Sequence, residues 1–249
     1  MNLQKKVDFT VDWLRALANN AGADGLLVGV SGGVDSALVA FLIKKAFPEN
    51  SLGVILPCKS NPQDQVDAKT VVEAADLKHI QIDLSAAHDE IFGGVQQAAK
   101  EKGDLYEDRQ RLGDANLRAR LRMSTLYTVA ANYNYLVVGT DNAAEWHLGY
   151  FTKYGDGGVD CVPIANLTKG EVRQWAEWIG VPQSIIQKAP SAGLWEGQTD
   201  EEEMGTTYEK VDLYLKGKEI PEQDKQIIEQ LHKRSAHKRQ MPPKPPLFK

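Results

Sequence analysis

The stretch GLLVGVSGGVDSALVAF, residues 25–41, places two serines, two adjacent glycines and an aspartate on a turn that leaves an apolar run and enters a helix. Two chemistries fit such a turn. Read as Gly-x-Ser-x-Gly, it presents Ser31 as a nucleophile on a strand-to-helix elbow, which requires a base, an orienting acid and an oxyanion hole drawn partly from an earlier strand. Read as an anion cradle, Gly32 and Gly33 let backbone N–H groups approach a phosphate, while Ser31 and Ser36 add hydroxyls at a helix N-terminus. No strand is predicted before residue 25, and the elbow leaves Asp35 and Ser36 without a task, so the cradle explains more of the residues. It is not of the Walker type, because Gly-x-x-x-x-Gly-Lys-Ser/Thr is absent and Lys44 lies two turns further on, nor is it a Gly-x-Gly-x-x-Gly dinucleotide fingerprint.

Further groups able to do chemistry recur downstream. Thr140 and Glu145 follow a predicted strand at the sheet edge where Asp35 also emerges, so one cleft can hold both carboxylates. That donor set suits Mg²⁺, which takes one or two carboxylates and completes its shell with phosphate oxygens and water; the alternative is that Glu145 faces water on a short helix. In NLRARLRM (116–123), Arg118 and Arg122 share a helix face while Arg120 points elsewhere, toward solvent or a different partner. Lys153 and Asp160 flank a glycine cluster and, taken alone, read as ordinary loop residues. His237 and Lys238 belong to a basic C-terminal stretch that is either a solvated tail or a clamp on phosphates. Trp146, Tyr150 and Phe151 offer a ring-binding surface or core packing.

The elements that must position these groups follow from periodicity. Val7, Val11, Leu14, Leu17 and Ala18 mark a first helix, and 26–30 a buried strand. Residues 36–47 read as a helix, 51–56 as a strand, 63–76 as a helix, 78–83 as a strand, 85–99 as a helix, 107–134 as a long helix and 135–139 as a fourth strand. The alternation predicts an α/β fold with a doubly wound, Rossmann-like parallel sheet flanked by helices. After a short helix at 141–147 the chain reads as loop, then as helices at 168–179 and 200–216. Between them KAPSAGLWEGQT has the composition of a mobile segment, giving an expected lid near 190–205. A helix starting near Pro221 leads into a basic, proline-rich tail over 232–249. The 249 residues are expected to form one domain.

Bulk properties narrow the classes. With 42% apolar and 25% charged residues and a formal charge of -5, nothing suggests wholesale nucleic-acid binding, and cations for an anionic substrate must be concentrated locally. Cys58 and Cys161 lack any partner at metal-ligand spacing and suggest a reduced, cytoplasmic setting. No apolar run is long enough for a signal sequence or a membrane span.

Strand, SGGVDS and helix together resemble the signature of ATP pyrophosphatases, which cleave ATP between the α and β phosphates. NLRARLRM, GTDNAAEWHLGYFTKYGDGGVD (139–160), PSAGLWEGQTDEEEMG (190–205) and RSAHKR (234–239) extend the resemblance to the ammonia-dependent NAD synthetases. It implies ATP binding by Gly29, Val30, Ser31, Gly32, Gly33, Val34, Asp35, Ser36, Thr140, Lys169 and Ser191. It also implies Mg²⁺ on Asp35 and Glu145, and deamido-NAD (nicotinic acid adenine dinucleotide) on Arg120, Lys153, Asp160, His237 and Lys238. The implied reaction adenylates the nicotinate carboxylate and lets ammonia displace AMP, with no protein nucleophile, in a homodimer. Glutamine-dependent relatives carry an N-terminal amidase, whereas only 24 residues precede the first strand here, so free ammonia is the expected donor. A tRNA sulfur-transfer enzyme would call for paired cysteines and a broad basic face. A non-catalytic nucleotide sensor would need neither the two carboxylates nor the dinucleotide set.

Overall fold

The structure, a computed structural model, describes residues 2–189 and 200–247. In chain order its elements are α1 (Leu3–Ala21), β1 (Gly25–Gly29), α2 (Val34–Ala46), β2 (Ser51–Ile55), α3 (Pro62–Ala74), β3 (His79–Gln81), α4 (Ser85–Lys102), α5 (Glu107–Tyr133), β4 (Tyr135–Val138) and α6 (Ala143–Leu148). There follow α7 (Lys169–Ile179), α8 (Gln183–Ile186), α9 (Asp200–Met204), α10 (Tyr208–Leu215) and α11 (Glu222–Arg234), with a 3₁₀ turn at Ala236–Arg239.

The strands form a parallel sheet in the order β3-β2-β1-β4. From β1 the chain winds outward through β2 and β3, then returns to add β4 on the other side of β1. This reversal opens a crevice at the carboxyl ends of β1 and β4, where doubly wound sheets bind ligands. Strand alternation sorts the core. Leu26 and Val28 of β1 face α1, α2 and α7, whereas Leu27 joins Val54 and Val137 against Val129 and Ala130 of α5. The sheet continues past β4 through a parallel bridge between Val138 and Cys161, with Gly139 N–H donating to the Cys161 carbonyl at 2.7 Å. A separate apolar cluster of Ala144, Leu148, Met204, Tyr208, Val211 and Ile228 packs α9, α10 and α11 onto α6, beside the crevice.

Two differences from the periodicity matter for the site. Helix α2 begins at Val34, two residues before the expected start, which puts Asp35 in its first turn. The single helix expected over 200–216 is two, because Thr207 caps a fresh start, its side chain accepting from Lys210 N–H, while the buried Thr206 hydroxyl donates to Asp224 at 2.8 Å. The bend aims Tyr208 at the crevice. Of the segment expected as a lid, 190–199 lies outside the described residues and Asp200–Met204 forms α9.

Candidate active site

The crevice holds a cavity of about 440 Å³. Its inner wall is the loop that joins β1 to α2. There the buried Ser36 hydroxyl accepts from Ser31 N–H at 3.2 Å and donates to the Gly33 carbonyl at 3.0 Å, closing the turn on itself. Gly32 adopts φ +83°, and a Cβ there would lie 2.6 Å from Asp67 Cβ of α3, so both the backbone conformation and the space require glycine. The turn leaves Ser31 exposed to the cavity at the start of a helix, a position suited to an anion. Gly29, Val30, Gly33, Val34, Asp35 and Ser36 line the same cavity.

Beside this loop an ion cluster joins three parts of the chain. Lys169, 3% exposed, places Nζ 2.6 Å from Asp35 Oδ2 and 3.2 Å from Glu145 Oε1. Burial alone would lower the lysine pKa, but the two carboxylates overcome it and hold the ammonium above the ordinary range. Glu145 is pushed up to about 7, chiefly by burial, with Lys169 opposing and the Asp35 charge adding to it. Each member is fixed by local structure. Asn142 caps α6 in a reciprocal box with Glu145, and its amide Nδ2 donates to Asp35 Oδ1 at 2.8 Å, tying the loop after β4 to the loop after β1. Thr168 and Glu171 form a second capping box at the start of α7, while Asp212 of α10 accepts from Lys169 N–H at 3.0 Å and Gly170 N–H at 2.9 Å.

Tyr208 completes the cluster from the C-terminal helices. Its hydroxyl donates to Glu145 Oε1 at 2.8 Å or to Asp200 Oδ2 at 3.0 Å, and its ring centroid lies 4.5 Å from Lys169 Nζ. Burial and the carboxylates of Glu145 and Asp200 hold the phenol in its protonated form, far above its usual pKa. Tyr150 donates to Glu203 at 2.6 Å on the same side. Asp141 lines the cavity at 5% exposure, and its Oδ2 has no hydrogen-bond partner among the described residues. Burial, then the charges of Asp156, Glu145 and Asp35, raises its pKa well above the usual carboxylate range.

The cavity thus gathers the residues expected to contact ATP, with Thr140 and Lys169 facing the loop, although Gly32 sits behind it and Ser191 lies outside the described residues. The positions expected to contact deamido-NAD are more dispersed. Lys238 lines the cavity and donates to the carbonyls of Gly149 (2.7 Å) and Phe151. Arg120 donates to the Lys153 carbonyl at 3.4 Å, and Lys153 Nζ to the His237 carbonyl at 2.6 Å, forming a chain along the rim. Asp160 stands apart, its two oxygens accepting from Tyr127 OH at 3.0 Å and Val137 N–H at 2.7 Å. Trp146 stacks on Phe151, and Tyr150 and Phe151 line the cavity.

Sequence reading passed over Asn142, Asp141, Asp200, Tyr208 and Asp212, and gave Arg122 a helix face but no role. The Asn-x-x-Glu spacing of 142–145 signals a cap that fixes Glu145, but Tyr208 carries no such local mark. Arg122 lines the cavity with its guanidinium bound to the Leu56 carbonyl and Ser60, consistent with the face it shares with Arg118.

The hard-cation reading fits these residues. Two carboxylates converge on one positive group beside an anion cradle, and their oxygens are the donors Mg²⁺ prefers when phosphate supplies the rest. Among the described residues no group of three or more His, Cys, Asp or Glu is arranged for a metal, so a protein-only cage is not formed. No helix among them is long and apolar enough to cross a membrane.

Known proteins match over nearly the whole chain. A model of the NAD synthase family covers residues 6–242. The NH(3)-dependent NAD(+) synthetase of Alkaliphilus oremlandii is 59% identical over 244 residues, 98% of each chain. Among solved structures, the NMN synthetase from Francisella tularensis superposes with a TM-score of 0.92 at 38% identity, covering 99% of this chain and 100% of that one. The NH3-dependent NAD synthetase from Campylobacter jejuni gives 0.77 at 29% identity, covering 99% and 100%. A cradle, two carboxylates and a buried lysine at the switch point of the sheet, in a chain matched by this family from residue 6 to residue 242, place the protein in the NAD synthase family.

Proposed function

We propose that the cleft carries out ammonia-dependent amidation of deamido-NAD through a nicotinoyl adenylate, giving NAD, AMP and pyrophosphate. Membership of the family makes the protein a ligase that forms a C–N bond. The finer roles rest on the convergence of Asp35 and Glu145 on Lys169 beside the SGGVDS loop. A carboxylate resists ammonia because oxide is a prohibitive leaving group, so the substrate carboxylate attacks the α-phosphorus of ATP, the α–β bridging bond breaks, and ammonia later displaces AMP with loss of a proton. The Ser31 hydroxyl and the N-terminus of α2 receive the phosphates, and Lys169 brings a buried ammonium to the same wall. Asp35 and Glu145 would hold Mg²⁺, which when bound neutralises charge on the departing pyrophosphate. Tyr208 and Asn142 keep the two carboxylates oriented, a role that outer partners of ligating groups commonly fill. No side chain need act as nucleophile, so positioning dominates the rate.

For the second substrate we assign Arg120, Lys153, His237 and Lys238 to the dinucleotide phosphates and ribose, with Asp160 contributing once its bonds to Tyr127 and Val137 rearrange. Ser191 is assigned to ATP, and the segment around it to exclusion of water. A homodimer in which the partner completes the dinucleotide site is part of this reading. The two buried, unbridged cysteines support a reduced cytoplasmic setting.

The assay incubates the protein with ATP, Mg²⁺, deamido-NAD and ammonium. Equimolar NAD, AMP and pyrophosphate are expected; release of ADP, or no NAD, rejects the assignment. A second reading, with nicotinate mononucleotide as acceptor, is favoured by the likeness to the Francisella protein described as an NMN synthetase. The ratio of kcat/KM for the two acceptors decides between them.

A further inference from the structure

Lys188, which lines the same cavity as Lys169, forms a second cluster of one lysine and two carboxylates. Its Nζ lies 2.8 Å from Asp64 Oδ1 and 2.5 Å from Asp67 Oδ2. The other oxygen of Asp67 accepts from Gln63 at 2.8 Å, so the pair is held from both sides. Both aspartates stand on the first two turns of α3, a helix capped by Asn61, and the positive end of a helix is a poor place for an ammonium unless carboxylates compensate it. The same stretch of α3 is what touches the loop: the space a Gly32 Cβ would occupy is closed by Asp67 Cβ at 2.6 Å, the Asp64 carbonyl at 2.9 Å and Ala68 N at 3.0 Å. Lys188 itself follows α8, whose Ile185 is buried against the core around α2. Sequence separations of 121 and 124 residues show that the clamp joins distant parts of the chain.

We infer that Lys188 is a positioning residue for ATP. By fixing Asp64 and Asp67 it seats α3 against Gly32 and holds the 31–34 turn, closed by its own bonds from Ser31 and Gly33 N–H, with Ser31 toward the phosphates. This rests on the ATP-binding role proposed for that loop. Lys188 and Asp64 line the cavity, but Nζ is engaged by the two carboxylates, so the clamp acts through α3; Arg120 and Lys153 bond elsewhere, so one substrate only is expected to be affected.

The test is calorimetric titration of the full chain with Mg-ATP and, separately, with deamido-NAD. Lys188→Met is expected to weaken ATP binding about tenfold, in the range seen when outer partners of a binding group are removed, while deamido-NAD affinity and the thermal midpoint stay unchanged. Lys188→Arg, which can span both carboxylates, is expected to bind ATP nearly as the parent does. The triple variant Lys188→Met, Asp64→Asn, Asp67→Asn removes the charge imbalance as well as the clamp and is expected to remain weak. Three results would overturn the inference: ATP affinity unchanged in Lys188→Met, parallel loss of both ligands, or recovery in the triple variant, which would mean that bare repulsion by the two aspartates explains the loss. If the parent protein binds ATP but forms no NAD, the proposed reaction fails while the titration still decides the role of the clamp.

Discussion

The inner wall of the cleft and its rim are built on different principles. On the wall, Asp35, Glu145, Asn142, Lys169 and Tyr208 contact one another, and each is fixed by a helix cap or by burial. On the rim, Arg120, Lys153 and Lys238 bond to backbone carbonyls of neighbouring segments and do not converge on one another. Charges held by charges form a rigid, preorganised centre, whereas cations resting on carbonyls can be exchanged for phosphate oxygens at little cost. The difference teaches that the wall is preorganised by its own contacts, whereas the rim keeps cations that can change partners, as the proposed dinucleotide site requires.

Breaking the wall should have the largest effect. Asp35→Ala removes one carboxylate from Lys169 and the acceptor of Asn142, and NAD formation is expected to fall by on the order of 10³-fold or more, measured as initial rate at saturating substrates. Near-normal turnover would mean the loop has been misread. Tyr208→Phe keeps the ring over Lys169 but deletes the hydroxyl on Glu145 and Asp200, so a loss of roughly 10-fold to 100-fold in kcat/KM for ATP is expected with the fold intact.

The rim should respond selectively. Lys153→Met is expected to raise KM for deamido-NAD about tenfold and leave KM for ATP unchanged, because its bond to the His237 carbonyl does not reach the ion cluster. Equal changes in both constants would erase the distinction between the two regions.

The smallest effect concerns the scaffold beneath the rim. His147 of α6 stacks on His232 of α11 with centroids 4.1 Å apart, and its pKa is lowered to about 4 by burial, then by His232 and Arg239. Because the folded value lies below the unfolded one of 6.5, the unfolded chain takes up the proton first as pH falls. The stability linked to this group is present above pH 6.5 and is lost as pH drops through 4. Melting curves across that window should show a smaller fall for His147→Phe than for the parent.

How far the sequence reached follows the same division. The parallel, doubly wound sheet was readable from the alternation of apolar strands and periodic helices, and Asp35 and Glu145 from their places just after two strands, whereas the Asn-x-x-Glu cap that fixes Glu145 was passed over. Lys169 was readable through the resemblance and through its place at a helix start. Tyr208 was not, since periodicity ran one helix across 200–216 and only the Thr207 cap, competing with helix propensity, turns the phenol inward. Lys188 left no trace either, because an ion pair spanning more than 120 residues has no signature in spacing. Asp160 shows the converse failure: a motif names the residue but not the strand amide and phenol that already occupy it.

Gly149 ends α6 at φ +66°, and a Cβ there would come within 2.2 Å of Ser235 Cβ. The turn bearing His237 and Lys238 therefore rests on bare backbone, with Arg239 bonded to the Trp146 carbonyl beneath it. For anyone engineering this protein, the boundary of the essential chain lies further toward the C-terminus than helix α11 suggests. A purification tag belongs beyond the prolines of 242–246, and a truncation that stops at residue 234 would take Lys238 and its part of the cavity lining with it.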